Sequence, residues 1–351
     1  SGVVWMEGLG SLREKASRLE ELTAWLAARV ESSAGDAATR AARLCKTDLL
    51  GEMIGSGKEY ASLEGIMGGH YARRAGEPEA VAQAIAEHYS PRGAGDVVPA
   101  SAAGAVLSLA DKLDHVTGAF VAGKSPSGSE DPYGVRRAAN GAIRILIERE
   151  WSLDLRSAAM EMTRTFFAND PELPQAEIIK KLGEFLRTRV DTALEDRGLA
   201  YDVREAALEA RIVMGGATRP GWCDAADALA RARALEAFRG DPRFAPLVIL
   251  FKRVANILKA ATDPLPASLD TARLVDAHEQ ALLAATERAR VRTSELWEKG
   301  DYTAILPELL AMGEAIHGFF DKVMVNVDDV AVRQNRRSEE HTSELQSPYV
   351  I

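Results

Sequence analysis

The chain has only two cysteines, Cys45 and Cys223, and they are far apart in the sequence. Neither falls in the paired spacing that holds a zinc ion or forms the disulfide framework of a small secreted fold. No apolar run approaches the roughly 18 residues of a membrane span; the longest candidate, Ala245 to Phe251, ends at Lys252. The N-terminus lacks the basic and then apolar segments of a signal peptide. These absences predict a reduced, cytoplasmic protein with no membrane partner.

Sustained alternation of polar and apolar residues is also missing, which argues against an extended β-sheet. Apolar residues instead recur at helical spacing along most of the 351 residues, so the predicted fold class is all-α. The length allows two domains, and a composition of 46% hydrophobic and 27% charged residues is typical of a globular protein. The net charge of -9 argues against coating of DNA or RNA by bulk electrostatics, although a local basic face remains compatible with it.

A phosphate-loop pattern, G-x-x-x-x-G-K-[ST], runs from Gly118 to Ser125. Such a loop must leave a strand and open a helix, whereas the residues before Gly118 have helical spacing and Pro126 follows Ser125. The pattern is therefore interpreted as coincidental, and no ATP site is predicted in this chain.

A new helix is predicted to begin at Asp131-Pro132, with the Asp131 carboxylate as N-cap and Pro132 at the first helical position. One face of this helix is apolar. Its outer side is partly basic, and three of its arginines are candidates for binding RNA: Arg136, Arg137 and Arg144. Two interpretations stay open, a solvated charged face and a contact to a polyanion.

Five ordered segments of the first half resemble the beta subunit of bacterial tetrameric glycyl-tRNA synthetase. They are Lys46-Thr47-Asp48-Leu49, Leu63 to Gly68, Glu87 to Arg92, Ala110 to Asp114 and Asp131 to Arg137. Two further segments, Lys252 to Lys259 (KRVANILK) and Phe319 to Asn326 (FFDKVMVN), resemble the C-terminal part of that family. The resemblance covers nearly the whole chain up to Arg336.

A new segment starts at Trp151 to Leu155, and the cluster Gly215 to Gly221 is interpreted as a break between helices, so boundaries are predicted at about 150 and 220. The resemblance implies that the three parts are an HD-like helical domain (1–150), a helical connector (151–220) and an anticodon-binding helical bundle (221–336). It also implies a division of labour within a heterotetramer. The separate alpha subunit carries the adenylate chemistry and uses ATP and Mg²⁺, whereas the beta subunit engages glycine tRNA. This chain is therefore expected to have no catalytic residue and to bind no cofactor of its own.

A metal-dependent HD phosphohydrolase is the alternative that this fold suggests. Such an enzyme needs an early His, a His-Asp pair and a distant Asp to hold a metal that activates water. The chain has no His-Asp dipeptide: Asp48 and Asp111 are the candidate surviving carboxylates, and Thr47 stands where the paired His is expected. His70, His88 and His115 remain as substitutes, but a lone His beside Tyr is more typical of a structural residue. No metal site is predicted, and a helical scaffold without an RNA role stays open as a third possibility.

The second set of candidate RNA-binding residues lies in the KRVANILK segment: Lys252, Arg253, Asn256 and Lys259. Helical spacing places Lys252, Asn256 and Lys259 on one face, where ammonium and amide groups suit phosphates and unstacked bases. The competing interpretation is that Asn256 braces a neighbouring helix while Val254, Ile257 and Leu258 pack inward. Arg333 and Arg336 are weaker candidates.

Both ends of the chain have unusual sequences. The N-terminus has no initiator Met and is interpreted as the cut edge of a longer protein. Residues Arg337 to Ser347 resemble the translation of a sequencing-library adaptor, so 337–351 is predicted to be an artefactual tail without function.

Overall fold

The computed structural model of the chain describes residues 9–55, 58–126, 131–259, 269–325 and 327–336. Within these ranges the regular structure is helical apart from one two-stranded hairpin, which confirms the predicted all-α class. Contacts divide the chain into unit 1 (Ser1–Arg197 with Trp222–Ala226) and unit 2 (Gly198–Gly221 with Asp227–Ile351). None of the helices in the described ranges combines the length and apolar character needed to span a membrane.

Unit 1 is built around one central helix. Its helices are α1 (Leu12–Val30), α2 (Gly35–Leu44), α3 (Glu52–Gly55), α4 (Ile66–Arg74), α5 (Glu79–Glu87), α6 (Ala102–Val121), α7 (Val135–Glu148), α8 (Leu155–Asn169) and α9 (Gln175–Glu195). Helix α6 contacts α1, α2, α5, α7, α8 and α9, and every residue from Ala103 to Asp114 is buried. A helix that is apolar on most of its circumference must be enclosed by others, which explains its central position.

The helix predicted to begin at Pro132 begins at Val135 instead. Gly134 adopts a left-handed conformation (φ 67°) and precedes the first helical residue. The N-cap residue is Gly134 and not the predicted Asp131, but the Asp131 carboxylate still accepts the backbone N–H groups of Val135 and Arg136 at 2.8 and 3.0 Å. The Asp131 carboxylate was correctly predicted to satisfy the start of this helix, whereas the N-cap position and the first helical residue were each placed three residues too early.

The phosphate-loop pattern begins inside a helix. Helix α6 extends through Val121, so the backbone at Gly118 is helical, and no strand precedes it in the described part of the chain. Gly123 follows the helix with a φ of 67°, as expected of a glycine that ends a helix. The context that a phosphate loop requires is therefore not present in the described residues.

Helices α4 and α5 pack closely because α4 contains two adjacent glycines, Gly68 and Gly69. A Cβ atom on Gly69 would lie 2.7 Å from the backbone oxygen of Ala82 and 3.0 Å from the Cβ of Ala86. The absence of both side chains thus sets the separation of these two helices.

We expect Gly69→Ala to destabilise unit 1 by about 1–2 kcal/mol. Alanine adds about 1 kcal/mol of helix propensity, but the overlap with a backbone oxygen forces α4 and α5 apart. Urea unfolding measures the effect. Gly93→Ala is the matched control, since a Cβ there meets nothing within 4 Å; equal stability of the two variants would show that the close approach is unimportant.

The division into units differs from the predicted boundaries. Residue 150 lies within unit 1, because α8 and α9, which follow it, pack against α6 and α7. The predicted connector 151–220 is divided, with its first part in unit 1 and residues from Gly198 in unit 2. The sequence pattern could not locate this boundary, because the amphipathic patterns of α8 and α9 do not specify which helices they pack against.

Unit 2 contains one helix, then a two-stranded hairpin, then further helices. Its elements are α10 (Tyr201–Glu209), β1 (Arg211–Met214), β2 (Ala217–Pro220), α11 (Ala225–Arg239, whose first residues belong to unit 1), α12 (Phe244–Lys259), α13 (Ala277–Glu298) and α14 (Ile305–Lys322). The strands pair antiparallel, with Met214 opposite Ala217. Gly215 and Gly216 between them both have positive φ, as a tight two-residue turn requires. This small hairpin was not predicted, because the segment was interpreted only as a break between helices.

The core of unit 2 lies among α12, α13 and α14. Phe319 is fully buried and packs with Leu250, Leu282 and Met312, and Val323 and Val325 after α14 extend the cluster. Short 3₁₀ segments complete the described secondary structure: Ser32–Ala34, Asp48–Leu50, Lys58–Leu63, Gly221–Cys223, Thr271–Arg273 and Tyr302–Ala304. The chain ends its described part with helical backbone at 330–336, beyond which lies the predicted tail 337–351, outside the described residues.

Candidate functional site

Unit 1 contains a buried network of charges that joins α1, α6 and the end of α2. The Lys15 ammonium lies 2.9 Å from an Asp111 carboxylate oxygen and 2.8 Å from Asp114, and Lys46 lies 2.9 Å from the other oxygen of Asp111. Arg18 completes the network at 2.8 Å from Asp114. We call these five residues the charge cluster; all of them are buried. Buried charges of opposite sign at these distances hold one another in their ionised forms.

The cluster changes the acid strength of its members. Burial alone raises the pKa of Asp111, but Lys15 and Lys46 outweigh it and hold the pKa of this carboxyl well below its usual range. The pKa of Asp114 is lowered in the same way, because Lys15 and Arg18 outweigh its burial. Both carboxylates are therefore ionised at neutral pH.

His88 supports the cluster as a neutral side chain. Burial, followed by the nearby Lys46 charge, holds the pKa of His88 well below its ordinary value. Its Nδ1 is 2.6 Å from the Ile85 carbonyl and its Nε2 is 2.9 Å from the Lys46 ammonium. A neutral ring that donates from Nδ1 and accepts at Nε2 satisfies both partners. This geometry agrees with the structural role expected for a lone His beside Tyr.

The residues at the positions of an HD-type metal centre form hydrogen bonds and ion pairs with other protein groups. Asp48 is separate from the charge cluster and accepts the Gly65 backbone N–H at 2.7 Å. Thr47, expected at the position of the paired His, donates to the Leu44 carbonyl, and Lys46 rather than Thr47 reaches Asp111. Within the described ranges no group of three or more His, Cys, Asp or Glu side chains is arranged to hold a metal. Asp111 instead binds two ammonium groups.

The other two candidate histidines do not join this arrangement. His70 is exposed on α4. His115 lies 2.7 Å from the Tyr133 carbonyl, and burial followed by the Lys15 charge lowers its pKa. Neither ring is a substitute for the missing metal ligands next to Asp111.

The three arginines predicted to bind RNA in unit 1 have different surroundings. The Arg144 guanidinium is 2.5 Å from Glu148 and donates to the Ala94 carbonyl at 2.9 Å, so it braces the loop that follows α5. Arg136 is half-buried at the start of α7. Arg137 is exposed and lies at the edge of a cavity. Of the three, Arg137 has the surroundings most compatible with a bound anion.

The candidates in unit 2 form an exposed group on α12. Lys252, Arg253 and Asn256 are all exposed, and we call them the α12 face. Lys259 is the last residue of α12, but its side chain lies outside the described residues, as do those of Val254, Ile257 and Leu258.

The α12 face is held against α14 by an aromatic contact. The Arg253 guanidinium lies 4.4 Å from the centre of the Phe320 ring. This contact joins the KRVANILK and FFDKVMVN segments, which are far apart in the sequence, and it fixes the position of one cation on the surface. Arg253 is therefore both a packing residue and an exposed charge.

The weaker candidates near the end of the chain have structural roles. The Arg336 guanidinium is 2.5 Å from buried Glu279 and 2.8 Å from the Met324 carbonyl. Arg333 donates to the Val327 carbonyl at 2.6 Å. Arg336 thus links the last described residues to α13 and to the segment after α14, and Arg333 links them to that same segment.

Sequence reasoning missed the charge cluster as a unit. A signal was present, because Lys15 and Arg18 fall on the same face of α1 as Leu12, Leu19 and Leu22. A cation within an apolar helical face predicts a buried carboxylate partner, since charges are rarely buried alone. The Ala110 to Asp114 segment, with its charges inside an otherwise apolar helix, was the other half of that signal.

Comparisons with known proteins agree on one family. The family model described as "Glycyl-tRNA synthetase beta subunit" matches residues 1–209. The glycine–tRNA ligase beta subunit of Nitratidesulfovibrio vulgaris strain Hildenborough is 40% identical over 338 residues, which are 95% of this chain and 47% of that protein. The corresponding subunit of Glaesserella parasuis serovar 5 is 37% identical over 336 residues, covering 96% and 46% respectively. The chain thus spans about half the length of the curated relatives it matches.

Proposed function

The chain belongs to the glycyl-tRNA synthetase beta subunit family, and we propose on this basis that it is the tRNA-binding part of a glycine–tRNA ligase. In this proposal a separate alpha subunit carries out adenylate formation with ATP and Mg²⁺, and the two subunits form a cytoplasmic heterotetramer. The present chain supplies no catalytic residue and no cofactor site. Its task is to hold glycine tRNA so that glycine is transferred to it.

The α12 face is the observation that supports tRNA binding most directly. Two exposed cations and one exposed amide lie together on a helix of an otherwise acidic chain. Lysine and arginine suit backbone phosphates, whereas an amide can both donate to and accept from the edge of an unstacked base. A local basic face on a protein of net charge -9 favours a selective contact over general attraction to RNA.

The phosphohydrolase alternative is not favoured by the charge cluster. Water activation in such an enzyme needs a metal bound by carboxylate and imidazole. Asp111 already pairs with Lys15 and Lys46, and His88 accepts a hydrogen bond from Lys46. The scaffold alternative makes a different prediction, because it requires indifference to tRNA.

We expect Lys252→Ala/Arg253→Ala to weaken binding of glycine tRNA by about tenfold at moderate salt. Each cation that contacts a phosphate releases a counterion. The slope of log affinity against log salt concentration should therefore become shallower by about 1 to 2. Fluorescence anisotropy of the whole chain with labelled glycine tRNA, across a salt series, measures both quantities. A non-cognate tRNA in parallel tests whether the contact discriminates.

Lys180→Ala/Lys181→Ala is the matched control for this experiment. It removes the same charge from exposed positions on α9, in the other unit. An equal loss of affinity in the control would mean that general charge, and not the α12 face, binds the RNA. No tRNA binding by the unaltered chain would contradict the proposed function of this part of the subunit and favour the scaffold.

A further inference from the structure

Unit 1 contains a cavity of about 670 Å³ beside the charge cluster. Its wall comes from α1, residues 46–49 after α2, residues 61–64 before α4, the loop after α5, α6 and the start of α7. The volume lies within the range of cavities that hold ligands the size of a nucleotide. The cavity is a separate site from the α12 face, since the cavity residues belong to unit 1 and α12 belongs to unit 2.

The cavity wall carries more positive than negative charge. Lys15, Lys46, Arg92, Lys112 and Arg137 line it together with two carboxylates, Asp111 and Glu64. Asp111 is already shared by the first two lysines. The remaining three cations therefore determine the character of the open part of the cavity.

None of these three cations forms an ion pair with a carboxylate in the described part of the chain. The Lys112 ammonium donates to the Tyr89 carbonyl at 3.0 Å, and the Arg92 guanidinium donates to the carbonyls of Ala61 and Glu64 at 3.3 and 2.6 Å. Arg137 is exposed at the cavity edge. Two guanidinium groups and an ammonium thus retain donors for an anion.

Lys112 is the most informative of the three because it is only 7% exposed. A buried ammonium whose hydrogen-bond partner is a carbonyl is costly, since it loses hydration without gaining an ion pair at short distance. Burial lowers the pKa of Lys112 to about 8, with Asp111 opposing and Lys46 and Arg92 adding to the shift. An anion in the cavity would relieve this cost.

We propose that this cavity binds a phosphate monoester, with its phosphate held by Lys112, Arg92 and Arg137. A phosphate offers a double negative charge and three acceptor oxygens, which match two planar guanidinium groups and one ammonium. The Tyr89 and Tyr133 side chains also line the wall and provide aromatic surface for the remainder of a nucleotide. The monoester can come from a free nucleotide or from the 5′-terminal phosphate of an RNA, and the cavity chemistry is the same for both.

Isothermal titration calorimetry of the whole chain with inorganic phosphate, and then with 5′-AMP, tests this proposal. We expect saturable binding that is about tenfold weaker in Lys112→Met and in Arg137→Met. Methionine preserves the side-chain length that packs on Gly141, where an added Cβ would lie 2.7 Å from Lys112 Cε. Arg137→Met alters an exposed position, so it tests the cavity independently of any change to the buried core.

Lys180→Met, an exposed position on α9, is the control and should bind like the unaltered chain. The proposal is overturned if neither probe binds saturably, if both cavity variants bind as tightly as the unaltered chain, or if the control loses as much affinity. Adding saturating glycine tRNA then separates the two sources. Loss of phosphate binding identifies the 5′-terminal phosphate of the RNA as the occupant, and simultaneous binding identifies a free nucleotide; both results support the site.

Discussion

Asp111→Asn is expected to destabilise unit 1 by about 3–5 kcal/mol, the range measured when one partner of a buried ion pair is removed. The substitution keeps the size of the side chain but leaves Lys46 without a carboxylate, and Lys15 with Asp114 alone. Urea unfolding followed by amide hydrogen exchange in α6 is the appropriate measurement, because this helix is buried at the centre of unit 1. Hydrogen exchange in α6 reports the unfolding of unit 1 alone, and the two units need not unfold in the same transition.

Glu79→Gln is the control for this substitution. It breaks the Arg73–Glu79 pair, which is also in unit 1 but exposed to solvent, and little change is expected because water screens such pairs. If Asp111→Asn has as small an effect as Glu79→Gln, the charge cluster does not stabilise the fold.

Asp111→Asn should also change how the stability of the protein depends on pH in acid. Because the folded-state pKa of Asp111 is held well below 3.8, its ionisation stabilises the fold above that pH. This contribution is lost as pH falls through the lower, folded-state pKa. The stability difference between the unaltered chain and Asp111→Asn should therefore be full at neutral pH and shrink progressively below about pH 4.

Lys112→Met is expected to have the opposite effect and to stabilise unit 1 by about 2 kcal/mol at pH 7. A folded-state pKa of about 8, against 10.5 for an unperturbed lysine, corresponds to about 3 kcal/mol of unfavourable charge burial at neutral pH. Loss of the hydrogen bond to Tyr89 offsets about 1 kcal/mol of the gain. Because folding disfavours the charged form of this lysine, the lysine destabilises the protein at every pH at which it is protonated.

The sign of the pH dependence distinguishes this explanation from a simple packing gain. Between about pH 8 and 10.5 the unfolded chain binds more protons at Lys112 than the folded chain does. The stability of the unaltered chain should therefore rise across this window relative to Lys112→Met, until the advantage of the variant disappears. Urea unfolding of both proteins at pH 7 and pH 10 provides the test; a constant difference between them would contradict it.

These two substitutions define different roles for neighbouring residues of α6. Asp111 is satisfied by two cations, so its removal leaves charges exposed to an apolar interior. Lys112 forms no ion pair with a carboxylate in the described residues, and the proposed phosphate would supply the missing counter-charge. A buried charge that lowers stability is an expected feature of a binding site.

Parts of the fold were predictable because they depend on local sequence. The helical class followed from apolar spacing, and the role of the Asp131 carboxylate at the start of α7 followed from its place before a proline. The actual start of α7 at Val135 was not predictable in the same way, because Gly134 first turns the backbone into a left-handed conformation. The unit boundary after Arg197 depends on which helices pack together, and amphipathic patterns do not encode their partners.

By itself the sequence determined the all-α class and the segments that resemble the family, since each of these depends on residues close together in the chain. The exposure of Asn256, which the sequence left open, was decided by the structure. Only the tertiary structure decided that Lys46 meets Asp111, which is 65 residues away, and that Lys15 meets Asp114, which is 99 residues away. It also decided that Lys112 lines a cavity without a carboxylate partner among the described residues. Helical periodicity specifies which face of a helix is buried, whereas the pairing of buried charges depends on which faces meet, and that is settled only when the helices pack.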